Sequence, residues 1–254
     1  LIDEDGWVAR LVTLGPEARS KVPAEFTIQS PQIANPPTLL LALSEMLTKL
    51  IENSDMLDST HAPVDVDVED GISAELGTNF EYIIKYSKVI YPKLQQHFKW
   101  FMDTQRGQLE EYMEDMEDDV EFSKIHQDYV FKWLGRTVTH CLPSGLDDYP
   151  RAQPPDVAEL NVDTLAWVSM MSRSMKNIAH ILELEQDEAE YAEIERKTVE
   201  NMDLLHWSEK AKAYCDVTLD EEGDEEMKLV CHEGYISLLP FALKMMPADS
   251  PKLK

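Results

Sequence analysis

Eight apolar or small side chains between Val157 and Leu182 (Val157, Leu160, Thr164, Val168, Met171, Met175, Ile178, Leu182) recur every three or four residues. That spacing places them on one stripe of a long α-helix and cannot serve a strand, whose faces alternate every residue. Asp156, with Glu159 three positions on, predicts a capping box that starts this helix. The same period recurs elsewhere. Asn35-Pro36-Pro37 reads as a helix start, followed by Leu39, Leu43, Met46, Leu47 and Leu50 on one face. A second helix is predicted over about 80–104, with Tyr86, Ile90, Leu94, Phe98 and Phe101 aligned and Pro92 kinking or dividing it before Gly107 ends the pattern. Further helices are predicted over about 188–205 and from near Tyr235, the last with Leu238, Leu239, Ala242, Leu243 and Met246 apolar. Residues 213–219 and 227–232 have strand character around an acidic turn containing Gly223.

The expectation is six or seven helices with one small hairpin, an all-α fold. There is no Gly-rich phosphate loop and no alternation of strand with helix, so dinucleotide and P-loop chemistry are excluded. Successive helices with irregular connections suggest helical hairpins wound into an α/α array, with chemistry on the connections at one end. Periodicity alone leaves an ordinary bundle open.

With 43% hydrophobic residues the chain is apolar enough to fold. Its formal charge of −26 argues against nucleic-acid partners and anionic membranes. Most of that charge is local: stretches 65–70, 110–121 and 216–226, which lack Lys and Arg, hold 19 acidic residues. They read as solvated loops or helix faces, and none has the spacing of a calcium loop. Three cysteines are too few for a disulfide framework and too far apart for a zinc pattern. No apolar run approaches the length of a membrane span, and no signal peptide is evident at Leu1. The seven histidines show no metal-binding pattern, and His140 beside Cys141 lacks an identifiable triad partner. Trp100, Trp133 and Trp207 read as core.

Two places invite chemistry. In Leu142-Pro143-Ser144-Gly145-Leu146-Asp147-Asp148-Tyr149-Pro150-Arg151, adjacent carboxylates, an aromatic ring and an arginine are crowded between a Gly and two prolines. One carboxylate there can face a substrate while its neighbour holds the loop, through Arg151 for example; the plainer reading is a pair of turn-forming aspartates. On the predicted helix that follows, Glu159, Asp163 and Trp167 are spaced i, i+4, i+8 and would share a face. The two carboxylates are equally suited to a helix N-terminus, but with a ring beside them they make a plausible carbohydrate subsite.

The loop, followed by Glu159-Leu160-Asn161-Val162-Asp163 and Trp167, resembles the signature region of glycoside hydrolase family 63, the processing α-glucosidases. Val22-Pro23-Ala24-Glu25-Phe26, Asn35-Pro36-Pro37-Thr38-Leu39-Leu40, Leu205-His206-Trp207 and Gly234-Tyr235-Ile236-Ser237-Leu238 resemble the same family in the same order, and Thr104-Gln105-Arg106-Gly107-Gln108 resembles its fungal members. The resemblance implies an α/α toroid of six helical hairpins that removes the terminal α-1,2-linked glucose from the triglucosylated high-mannose N-glycan of nascent glycoproteins in the endoplasmic reticulum, with inversion and without metal or cofactor. It implies that Asp147 is the general acid and that Glu159 and Asp163 serve substrate binding or tune that acid; Asp148, Arg151 and Trp167 beside them are expected to bind substrate. The family's general base lies in a Trp-Glu-Gln-Tyr-like segment that residues 1–254 do not contain. The chain is therefore expected to be an internal segment of the catalytic toroid, incomplete at both ends and inactive in isolation, with any single-pass membrane anchor outside it. The competing expectation is a non-catalytic helical binding or scaffold module. In a lumenal protein, Cys215 and Cys231 could pair.

Overall fold

The computed structural model describes residues 2–24, 29–59, 71–109, 122–155, 158–219 and 227–253. The acidic stretches 65–70 and 110–121, residues 220–226 of the third stretch, and Asp156 and Val157 lie outside them. Helices α1 (Gly15–Ser20), α2 (Thr38–Ser59), α3 (Gly71–Thr104), α4 (Val162–Ile181), α5 (Glu185–His206) and α6 (Tyr235–Ala242) carry most of the regular structure. Strands β1 (Trp207–Ser208), β2 (Ala213–Tyr214), β3 (Asp216–Leu219) and β4 (Met227–Val230) follow α5. They make two antiparallel hairpins, β1–β2 and β3–β4, where the sequence suggests one. β1 and β2 are two residues each, too short for any alternating pattern to register. Helix α3 passes through Pro92 without being divided. Among the described residues no helix is long and apolar enough to cross a membrane.

Helix α4 is the centre of the fold. α5 returns along it after a three-residue turn in which Glu183 takes a left-handed conformation (φ 61°), making one helical hairpin. α2, α3 and α6 pack on its other sides. Fifteen of its twenty residues are buried, so the predicted single stripe understates it: small Ala and Ser side chains between the large ones let neighbours approach all round. Ser172 satisfies its hydroxyl by donating back to the Val168 carbonyl (2.9 Å).

The faces of the outer helices also differ from the expected ones. On α2, Leu40, Ser44 and Leu47 are buried, while Leu39 and Met46 stay exposed. α2 packs against α4, and the Leu40–Ser44–Leu47 side is its buried one. Leu94, Phe98 and Phe101 of α3 are buried as predicted, but Tyr86 is exposed. On α6, Ile236, Ser237 and Pro240 are buried and Leu238 is exposed. Leu39, Leu43, Tyr86, Ile90 and Trp100 line an apolar groove of about 420 Å³ between α2 and α3.

A smaller apolar cluster of Leu160, Leu205 and Val217 lies beneath the β3–β4 hairpin. The ends of this hairpin are joined by a disulfide between Cys215 and Cys231, which realises the pairing suggested above. Cys141 is the free cysteine, and burial pushes its thiol up to about 11. The 254-residue chain should therefore show no readily titrated thiol when folded; denaturation without reductant should expose one, and reduction should raise the count to three. Three thiols before reduction would contradict the bridge.

Candidate active site

The loop after Cys141 is shaped by its own backbone. Pro143 lies in a short 3₁₀ turn, Leu142–Ser144, and Gly145 ends it at φ 72°, a left-handed conformation that costs a glycine little. A Cβ on Gly145 would also stand 3.3 Å from the Pro36 ring. The Cys141 amide donates to the Asp147 carbonyl (2.9 Å), and the Ser144 hydroxyl donates to the Cys141 carbonyl (2.7 Å). This closed turn delivers the Asp147 side chain to the wall of a cleft of about 470 Å³, whose lining also includes Trp7, Arg10, Gln29 and Asn35. Asp147 Oδ2 accepts from Arg10 Nη2 at 3.3 Å. Oδ1 is buried and has no hydrogen-bond partner among the described residues. Both side chains of the Arg10–Asp147 pair remain more than a third exposed, so the ion pair contributes little to stability and orients the carboxylate instead. Asp148 is exposed beside it.

Behind the loop lies a buried charge network. Arg151 donates through Nη1 to Asp163 Oδ1 (2.9 Å) and Asp216 Oδ2 (3.0 Å), and through Nη2 to Asp163 Oδ2 (2.6 Å). Asp163 Oδ2 also accepts from the Trp133 indole (2.9 Å). Asp216 Oδ1 accepts from the Val162 amide (2.9 Å), the first of α4, and so caps the helix from a distant strand. Glu159 pairs with Arg136 (3.2 Å) and accepts from Asn161 Nδ2 (3.1 Å). All three carboxylates are at most 3% exposed.

Glu159 is not on the helix, which corrects the expected shared face and the capping box at its Glu159 end. Leu160 exchanges two backbone hydrogen bonds with Val217 (2.9 Å each), and the Asn161 amide donates to the Phe131 carbonyl (3.0 Å). This pairing keeps the chain extended up to Asn161, and α4 starts at Val162. Asp163 and Trp167 do share a helix, but Trp167 is 9% exposed and packed in the main core. Of the six residues singled out in the sequence, the structure places Asp147 on the cleft and Asp148 at the surface next to it, while Arg151, Glu159, Asp163 and Trp167 lie inside.

Two residues escaped the sequence reading. Arg10 lies far from the loop in the chain and carries no local pattern. Asp216 belongs to a run of acids that reads as solvated surface, and it is fully buried. The signal was available: Val217-Thr218-Leu219, a strand-forming segment, separates it from the other acids of that run.

In the interior, two guanidinium groups, Arg136 and Arg151, face three carboxylates. Burial pulls the Arg151 pKa down, but the charges of Asp163 and Asp216 outweigh it, so Arg151 stays protonated. Burial raises Asp216. Glu159 is raised to about 7, first by burial and then by the Asp216 charge, against the pull of Arg136. The surplus negative charge is thus relieved by a proton held near neutral pH. Burial lowers His206, beside the hairpin, to about 4. Among the described residues no group of three or more His, Cys, Asp or Glu side chains is arranged to hold a metal ion.

Residues 1–254 match the glycosyl hydrolase family 63 C-terminal domain. The chain is 56% identical over 255 residues to the mannosyl-oligosaccharide glucosidase of Saccharomyces cerevisiae, covering 99% of this chain and 31% of that protein. It is 40% identical over 257 residues to the probable mannosyl-oligosaccharide glucosidase of Schizosaccharomyces pombe, again over 31% of the relative. A mannosyl-oligosaccharide glucosidase of Arabidopsis thaliana is 28% identical over 288 residues. The chain thus spans about a third of the length of these relatives.

A carboxyl whose pKa rises on folding adds stability below its unfolded value of about 4.5 and loses it as pH rises through the folded value of about 7. Thermal unfolding of Glu159→Gln against the parent should therefore show the parent losing ground between pH 5 and 8, by about 3 kcal/mol at most. A stability difference independent of pH would contradict this charge accounting. His206 acts in the opposite sense, losing its contribution as pH falls from about 6.5 through about 4, and it is common to both proteins.

Proposed function

The chain belongs to the glycosyl hydrolase family 63 C-terminal domain family, and from that we propose that it forms part of the catalytic α/α toroid of an inverting α-glucosidase with Asp147 as the general acid. The observation that carries the reading is the state of the Asp147 carboxylate. It sits on the wall of a cleft, on a turn fixed from within, with Oδ2 held by Arg10 and with Oδ1 buried and unpartnered among the described residues. A proton donor to a glycosidic oxygen needs a carboxyl held at the cleft in a defined orientation, and the Arg10 contact on this fixed turn supplies that orientation.

Inversion requires a second carboxylate roughly 6.5–9.5 Å away to activate water on the opposite face of the sugar. We assign that base to a part of the polypeptide outside residues 1–254. The exposed Leu39, Met46 and Tyr86 stripes beside the α2–α3 groove support an incomplete toroid, as does the share of the relatives that the chain spans. The proposed substrate is the triglucosylated high-mannose N-glycan, cleaved at its terminal α-1,2-linked glucose in the endoplasmic-reticulum lumen without metal or cofactor. The names of the relatives and the disulfide are consistent with that choice. Asp148, exposed beside the acid, is assigned to substrate contact. The burial of Arg151, Glu159, Asp163 and Trp167 assigns them to holding the loop and its electrostatics from inside, not to touching sugar.

In the full-length protein, Asp147→Asn should lower kcat on an α-1,2-linked glucosyl substrate by about 10²–10⁴-fold with little change in KM. Retention of most activity would refute the acid assignment. The purified 254-residue chain should bind or associate without turnover, and strong hydrolysis by it would refute the placement of the base elsewhere.

A further inference from the structure

One buried acid is left without a role by the chemistry above. Asp216 touches no part of the cleft, yet it makes two of the contacts that decide where the acid-bearing loop ends. Its Oδ1 takes the first amide of α4 at Val162, and its Oδ2 takes Arg151 Nη1 at 3.0 Å. Arg151 Nε is buried without a partner, so the guanidinium is held at its two terminal nitrogens by Asp163 and Asp216 together. Arg151 is four residues beyond Asp147 and closes the same loop.

The hairpin grips that loop at a second point. The Tyr149 hydroxyl donates to the His232 carbonyl (2.8 Å), and its ring lies edge-on to the His232 imidazole. The ring fits because residue 234 is glycine: a Cβ there would stand 2.7 Å from the Tyr149 hydroxyl. His232 follows Cys231 and Asp216 follows Cys215, and those two cysteines form the disulfide. The covalent bridge therefore joins the two halves of one clamp, whose contacts fall on Tyr149 and Arg151, on the C-terminal arm of the turn that presents Asp147.

We infer that Asp216 is a positioning residue for the general acid, acting through Arg151 to hold Asp147 in its orientation on the cleft wall. The inference rests on the assignment of Asp147 as the acid. Displacement of a catalytic group by even 1 Å costs about 10²-fold in rate, and a misplaced acid harms only those substrates whose leaving group needs its proton.

That selectivity provides the test. The full-length protein and its Asp216→Asn variant are assayed on an α-1,2-linked glucosyl disaccharide, whose leaving oxygen must be protonated, and on α-glucosyl fluoride, whose leaving group needs no acid. Asp216→Asn should lower kcat on the disaccharide about 10–100-fold while kcat on the fluoride stays within about threefold of the parent. An equal loss on both substrates would mean a general structural role and would overturn the inference, as would no loss on either. If Asp216→Asn does not accumulate as folded protein, Arg151→Lys, which keeps the charge but not the fork, is read in the same pair of assays, and absence of the split there overturns the inference. Asp147→Asn is run alongside. If it fails to separate the two substrates, the acid assignment itself fails, whatever Asp216→Asn does.

Discussion

The structure turns on one arginine buried with two aspartates. Burying a guanidinium alone would be prohibitive, and burying either aspartate alone nearly so. Together, with the Trp133 indole and the Val162 amide supplying further hydrogen bonds, they form a network whose members cannot be placed independently. Each belongs to a different piece of chain: Arg151 closes the loop, Asp163 is in the first turn of the central helix, and Asp216 opens the hairpin. Satisfying the charges therefore fixes three elements at one point. Such a network is weak evidence for net stability, since an apolar replacement of equal volume can be as stable, but removal of one member strands the others. Its value here is the register it imposes on a loop that would otherwise lie on the surface.

This division of labour explains why the cluster of acids and the cleft do not coincide. Asp147 reaches the cleft with a half-exposed side chain and a single cationic partner. The carboxylates whose pKa burial raises, Glu159 and Asp216, are set back in the interior. Perturbed acids often mark a reacting group, but here the perturbation comes from burial and from three carboxylates sharing two arginines. The residue proposed to react is distinguished by its place on the cleft wall and its contact with Arg10, and the perturbed ones by what they hold in place.

The helices were legible in the sequence because the 3.6-residue period survives in α3, α4 and α5, and the loop at 142–151 was legible because its composition suits nothing else. Three features were not. The capping pattern at Asp156 and Glu159 is locally sound, but the pairing of Leu160 with Val217, 57 residues away, keeps Leu160 and Asn161 extended and delays the helix to Val162; a tertiary contact overrides a local preference. Asp216 was masked by the acids that follow it, because charge counted over a window cannot tell a strand's first residue from a solvated turn. The buried side of α2 is not legible because Leu39 and Met46 satisfy the same period as Leu40 and Leu47, and only packing against the rest of the fold decides that Leu40, Ser44 and Leu47 are the buried ones.

The central claim is that the buried network holds the acid-bearing loop, and amide hydrogen exchange of Asp163→Asn against the parent tests it most directly. Loss of one charge from the network should open the loop locally, so the Cys141, Tyr149 and Val162 amides should exchange about a hundredfold faster, while Thr198 in the middle of α5 keeps its protection. Unchanged protection at Cys141 and Tyr149, with the variant folded, would contradict the account.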